Sequence, residues 1–507
     1  MGSGANPFPS RPFNANLSIM KNTTKALAFL LLVLTGFTAC DQFEVSNINP
    51  DVTGTIDNNP ELLLTGIERD AVNNLVGSGW SEGNLMAQYG ARIVFTEFDL
   101  FDWGDQAGTW NGLYLSIRNA KALEQIAVDN NLVSYEAVSL VLQAWMFQVL
   151  TDMWGDIPYS QASAANAETP VYTPVFDFQG DVYDGLVASL DRANTLLSGS
   201  NLPAIKGDII FHGDLEKWRR FANSLQLRVA LRLSKADPGL AQSLIAKIYN
   251  GGSTYPLMES NADNAVLVYL SAFPNAHPVS EANRYRVGSY NEYRISETLE
   301  GVLRAYDDPR LDKFADPTAN SVAAGTPEIS GMRNGIVDGP AYEYKGGDAF
   351  LSKFNIELFH FDPNANEGRL MTYSEVAFIL AEAAHRGWIN ADAAEWYGKG
   401  VSANFEYWGV PMPTDYLTVN APYNGEWENI MNQKYIALFY IDYQGFIEYR
   451  RTGFPSNIEP GPDAFYTDYP SRFEYPSKEQ ALNGANYDAA VARQGPDLIT
   501  TPVWWEN

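Results

Sequence analysis

SYEAVSLVLQAWMFQVLTDMWGDIPYS, residues 134–160, carries an apolar stripe at helical spacing. Val138, Val141, Leu142, Trp145, Val149 and Met153 recur at steps of three and four, the period that lines one face of an α-helix. Ser134 stands at the expected N-cap. Gly155 is available for a left-handed cap and Pro158 cannot continue the helix, so the element is predicted to end there.

Similar stripes flank it. Upstream, Leu113, Ile117, Ala120, Leu123 and Ile126 form a partner helix; downstream, Val182, Leu186, Leu190, Ala193 and Leu197 form another before Gly199. Asp214 is placed to start a helix with Trp218, Phe221, Leu225 and Val229. Thr372 and Glu375 fit a capping box ahead of Val376, Ile379, Leu380 and Ala383. Asn390 is the expected cap of its partner, which carries Ala393, Trp396, Tyr397 and Val401. Ile430, Tyr435, Leu438, Phe439 and Phe446 read as one long helix closing at Gly453 and Pro455. Three helix–turn–helix pairs result, over 111–154, 179–234 and 372–406, comparable with tetratricopeptide units of ~34 residues. The predicted class is therefore all-α: tetratricopeptide-like pairs joined by long irregular loops, with few short strands.

Composition supports a large core and narrows the partners. Of 507 residues, 46% are hydrophobic and 13% aromatic, which excludes a disordered chain. The 34 basic residues face 61 acidic ones, for a net charge of −27, a field that repels nucleic acid. One cysteine excludes a disulfide framework and a multi-cysteine metal site.

That cysteine gives the address. Met20 to Cys40 reads Lys21, Lys25, an apolar run, then Thr38-Ala39-Cys40. This is signal-peptide grammar, with a run shorter than the ~20 residues of a membrane span. Phe37-Thr38-Ala39-Cys40 resembles a bacterial lipobox, so Cys40 is the expected lipidation site and the expected tether, acyl chains contributing ~0.8 kcal/mol per buried CH₂. The chain divides into an upstream segment and signal peptide (1–39), a polar stalk (40–60) and one domain (61–507).

Enzyme signatures are missing. His212, His277, His360 and His385 form no HExxH pattern, and there is no GxSxG elbow. Asp362-Pro-Asn364-Ala-Asn366 imitates the start of a calcium loop, but Glu367 stands where glycine is required, so it reads as a turn. No cofactor or metal is expected. Glu375 and Glu382 share a helix face and read as interhelical partners rather than a glycosidase pair. Arg219, Arg220, Arg228, Arg232, Arg450 and Arg451 read as structural ion pairs.

The loops are richer. Sugars offer apolar C–H faces and a hydroxyl rim, which flat rings beside short polar side chains recognise. The loop before the first pair holds Trp80, Tyr89, Phe95, Phe98, Phe101 and Trp103; from it, Trp80, Phe101 and Trp103 are the ligand candidates. The region after 268 adds Phe273, Asn283, Tyr285, Tyr290, Asn291, Tyr293 and Arg294.

Several ordered blocks together resemble the SusD/RagB family of nutrient-binding outer-membrane lipoproteins, in its SusD-like subgroup. They include Trp110 to Tyr114, Phe147 through Gly155-Asp156-Ile157-Pro158-Tyr159-Ser160, Lys217-Trp218 with Phe221 to Leu225, and Asp308 to Leu311. Leu380 to Ala383, Gln433 to Phe439, Arg450 to Pro455 and Trp504-Trp505 follow in order. The resemblance implies one SusD-like α-helical domain of four tetratricopeptide-like units, the fourth expected near 239–306. It implies a lipid-anchored, non-catalytic protein on the outer face of the outer membrane. Such a protein captures an oligosaccharide, or alternatively an oligopeptide, and passes it to a TonB-dependent SusC-like transporter.

Overall fold

A computed structural model describes residues 59–164 and 169–507. Cys40, the signal segment and nearly all of the expected stalk lie outside the described residues. The longer helices are α1 (Pro60–Ser78), α2 (Ala107–Asp129), α3 (Val133–Trp154), α4 (Gln179–Leu197), α5 (Leu215–Arg232) and α6 (Pro238–Gly251). They continue with α7 (Glu297–Ala305), α8 (Tyr373–His385), α9 (Ala393–Trp408), α10 (Trp427–Ala437) and α11 (Gln444–Thr452). Among the described residues the strands are β1 (Gly90–Arg92), β2 (Ala265–Val268), β3 (Tyr293–Ile295) and β4 (Glu367–Met371). β1 pairs antiparallel with β3 and β2 with β4.

From α1 to α6 each of these helices packs on the next, and α8 and α9 form a separate pair with α8 against α5 and α10. The three expected pairs are therefore present as α2/α3, α4/α5 and α8/α9, in a mostly helical, tetratricopeptide-like fold. The fourth unit differs from expectation: α6 lies on α5, whereas α7 lies on α10. α3 is buried from Ser134 to Trp154 on all faces, because α2 and α4 flank it and the C-terminal segments cover its end. It is long and apolar enough to cross a membrane, yet is 94% buried, and so serves as the central core helix.

Caps explain several departures. Asp214 caps α5 as expected, accepting from the Glu216 and Lys217 amides at 3.1 Å each. Ser134 does not cap α3; its hydroxyl donates to the Pro203 carbonyl at 2.6 Å. Asp392, not Asn390, caps α9. The capping box at α8 does not form, because Glu375 is taken by Arg228, whose Nε and Nη2 both donate at 2.6 Å. In a dry interior a bidentate charged pair outweighs one backbone amide. The long helix expected through Phe446 is broken into α10 and α11, with Tyr440 (φ 60°) and Asp442 (φ 31°) left-handed between them. That reversal seats on a π-turn, Gly79–Gly83, which prolongs α1. A Cβ on Gly83 would lie 2.1 Å from the Asp442 carbonyl oxygen, so only glycine fits.

α1 is fastened to the 206–209 segment. The Thr65 hydroxyl donates to the Gly207 carbonyl at 2.6 Å, and the Ile209 amide donates to Glu68 at 2.7 Å. The basic residues also pair internally. Arg451 bonds Glu382 through both Nη atoms at 2.7 and 2.6 Å and reaches Glu448, which also holds Lys434 at 2.8 Å and Arg232. Burial alone would raise the Glu382 carboxyl, but Arg451, Lys434 and Arg386 hold it down at about 2.

Candidate functional site

The β1–β3 ladder, with Gly90 opposite Ile295 and Arg92 opposite Tyr293, joins the two loops that carry the sequence candidates. Most of those candidates prove to be core. Trp80 is 1% exposed, stacked on Tyr290 (5.4 Å, 13°) and enclosed by Tyr293, Phe354, Phe359 and Tyr440. Phe101 and Trp103 are buried against Tyr469, Phe446 and Phe473. The Tyr290 hydroxyl donates to the Phe354 carbonyl at 2.7 Å, and Tyr293 lies under Trp80. Arg294, also buried, donates to the Asn291 and Tyr293 carbonyls at 2.7 Å each and pairs with Asp348. Phe101, Trp103, Tyr290, Tyr293 and Arg294 are enclosed in this way and hold the frame, whereas Trp80, though 1% exposed, also forms part of the wall of a cavity.

Four candidates reach solvent. Phe273 is 50% exposed, with the Arg284 guanidinium 3.9 Å from its ring centroid. Asn283, Tyr285 and Asn291 are partly exposed. Tyr285 connects the two sets, since Trp80 Nε1 donates to its hydroxyl at 3.2 Å. Trp80 therefore orients a surface tyrosine that borders a cavity of about 470 Å³, whose wall includes Asn74, Ser81, Glu82, Gln106 and Pro278.

Phe95 belongs with this face although it was not singled out as a candidate. It is 56% exposed and left-handed (φ 57°), a strained conformation that non-glycine residues keep mainly at functional sites. Arg92, paired with Glu292, lies 5.8 Å from the Phe95 ring centroid and 5.2 Å from that of Tyr293. Nothing in the residue types marks Phe95 as the exposed ring of its loop, nor does its backbone, since Phe101 of the same loop is also left-handed (φ 72°) yet buried; only the packing does. The next amide, Thr96, donates to Asp338 at 2.8 Å and ties this loop to a short helix bearing the exposed Tyr342. The surface thus combines flat apolar rings with guanidinium, carboxylate and amide groups.

Glu375 and Glu382 cannot meet a substrate, being 2% and 0% exposed and each held by arginine. Glu82 is different. Burial raises its carboxyl to about 7, partly offset by hydrogen bonds from Tyr443 and Ser81. Between roughly pH 4.5 and 7 the native state holds a proton that the unfolded chain has released, so stability falls as pH rises across that window. Asp442, raised to about 6 by burial, acts in the same direction. Glu82→Gln is expected to raise stability by about 1–3 kcal/mol at roughly pH 8 and to change it little at roughly pH 4, read from urea midpoints. A pH-independent difference would show that Glu82 does not titrate in this range.

The SusD-like family model, described as starch-binding and associating with the outer membrane, matches residues 53–476. The chain belongs to the SusD-like family. Solved structures place SusD-like relatives on the same fold. One, titled a chitin-binding protein, is 27% identical with a TM-score of 0.76, covering 88% of this chain and 100% of its own. A SusD homologue from Bacteroides fragilis is 29% identical, TM-score 0.75, covering 89% of this chain and 99% of its own. A Bacteroides vulgatus outer-membrane protein, titled as involved in nutrient binding, is 27% identical, TM-score 0.76, covering 89% and 100%. No curated protein matches the chain.

In this SusD-like frame the resembling blocks are structural. Gly155 holds a positive φ of 83°, which side chains rarely adopt, and a Cβ there would displace Gln494 Oε1, which accepts from the Asp156 amide at 2.7 Å. Asp156 accepts from the Gln179 amide at 2.8 Å and from Arg493, locking the end of α3 to the start of α4.

Proposed function

We propose that this SusD-like chain captures an oligosaccharide at the β1–β3 face and hands it on uncleaved to a TonB-dependent SusC-like transporter. Lipid attached at Cys40 holds it on the outer surface of the outer membrane. The observation that carries the binding role is the exposed ring of Phe95 beside Arg92, whose ion pair with Glu292 also acts on Tyr285 at the cavity of about 470 Å³. Such rings suit the C–H faces of a sugar, while guanidinium, carboxylate and amide groups suit its hydroxyls. The chitin-binding and nutrient-binding relatives support the same class of ligand.

Phe95→Ala and Tyr285→Ala are each expected to weaken oligosaccharide binding by about tenfold, the equivalent of one lost stacking platform; the unfolding midpoint should be unchanged in Phe95→Ala and lowered in Tyr285→Ala, which strips the Trp80 N–H of its acceptor. Glycan and peptide arrays on the protein from residue 41 onward, followed by calorimetry, provide the test. Full affinity in both variants would remove this face from the reading, and selective peptide capture would replace the ligand class. Release of reducing ends from a bound polysaccharide would overturn the non-catalytic role.

A further inference from the structure

A second cavity, of about 400 Å³, lies away from the β1–β3 face, between the start of β4, the end of α9 and the 261–264 turn. Its volume falls within the ~300–1,000 Å³ of small-molecule sites. Two of its wall residues are buried donors without acceptors. Asn366, 3% exposed, uses its Oδ1 to accept from the Glu367 amide at 3.0 Å and from Arg369 at 3.2 Å, but its Nδ2 has no partner. Trp408, 4% exposed, has an equally unpartnered Nε1. Leaving such groups unpaired is costly; both atoms are covered in this structure, so a ligand oxygen reaches them, and relieves that cost, only with a small shift of the wall.

The same wall carries acceptors. Glu367 accepts from the Tyr407 hydroxyl at 2.9 Å and Glu406 from Asn261 Nδ2 at 3.0 Å. A carboxylate has about four acceptor positions, so each retains capacity. This mixture selects the ligand chemistry. The two carboxylates disfavour an anion, whereas the unpaired N–H groups and Lys313 disfavour a bare cation. Asp362, the first residue of the calcium-like run, is not part of this wall. A hydroxyl group both donates and accepts, and therefore satisfies both kinds of wall, while Tyr407 offers an aromatic surface.

We infer that this cavity is a second binding site, for a neutral sugar unit of one or two rings, independent of the β1–β3 face. The test titrates neutral hexoses and N-acetylhexosamines into the full chain, with calcium chloride and sodium sulfate as separate arms, following heat and the Trp408 indole N–H resonance. Glu406 is exposed, so Glu406→Ala leaves the core untouched; it is expected to weaken saccharide binding here by about tenfold. Trp408→Phe, which keeps an aromatic ring, assigns the resonance that shifts on saturation and is expected to weaken binding by about fivefold. Phe95→Ala should leave this site unchanged. Binding lost in Phe95→Ala but retained in Glu406→Ala, saturation by calcium or sulfate in place of sugars, or no shift of the indole resonance would each overturn the inference. Loss in Glu406→Ala with no effect of Phe95→Ala would instead count against the β1–β3 face and uphold this site.

Discussion

Trp80→Ala should destabilise the fold by about 3–5 kcal/mol, the range for deleting a fully buried tryptophan. The indole contacts Tyr290, Tyr293, Phe354, Phe359 and Tyr440 at centroid distances of 5.0–5.8 Å, and these rings come from three separate stretches of chain, 290–293, 354–359 and 440. Its loss leaves a hole that no single neighbour can fill, and it also frees Tyr285 from its 3.2 Å hydrogen bond. Urea unfolding should show a lower midpoint at unchanged slope, and ligand affinity should fall as a secondary effect of a mobile Tyr285. Trp80→Phe separates the two: most of the packing returns while the N–H does not. A loss below about 1 kcal/mol in Trp80→Ala would show that the aromatic box closes around the gap.

Arg451→Met is expected to cost a similar amount, about 3–5 kcal/mol, because it strips a buried carboxylate of its main partner. Glu382 is 0% exposed and keeps only Arg386 at 3.0 Å as a direct ion-pair partner. The sign with pH follows from the wild-type state. Glu382 titrates at about 2 in the fold, so its stabilisation is present above the ordinary carboxyl value and lost as pH falls toward 2. In the variant burial prevails and raises that carboxyl, so the deficit relative to wild type should shrink on acidification from roughly pH 7 to 4. The double change Arg451→Met with Glu382→Leu should recover a large part of the loss; no recovery would place the cost at Glu448 instead.

The helical frame was legible because burial on one face leaves a period in the chain. α2, α4 and α5 carry that period plainly, and Asp214 announces its helix by a capping chemistry that involves only neighbours. α1 was missed because it directly follows the polar segment read as a stalk, so its first residues resembled more stalk. Thr372 and Glu375 misled for the opposite reason: their local capping pattern is complete, yet Arg228, 147 residues from Glu375 in the chain, takes the carboxylate. The candidate face was the least readable part. Trp80, on the π-turn that prolongs α1, and Phe95, in the loop beyond, both lie outside any apolar stripe, and only long-range packing turns one into the core and the other outward. Tyr285 and Phe273 were recoverable from their Asn- and Arg-rich neighbourhood, whereas the wall of the second cavity gathers residues from four distant segments and left no mark in any one of them.

The fastening of α1 bears on how the proposed lipid anchor would act. Tension entering at Pro60 meets Thr65 and Glu68 within the first turns, both bonded across to residues 207 and 209. A Cβ on Gly207 would lie only 2.0 Å from the Glu61 carbonyl oxygen, so the two strands of chain are also wedged together. Tension on the proposed anchor would therefore load the helical stack directly, and the loops of the candidate face would be spared the strain.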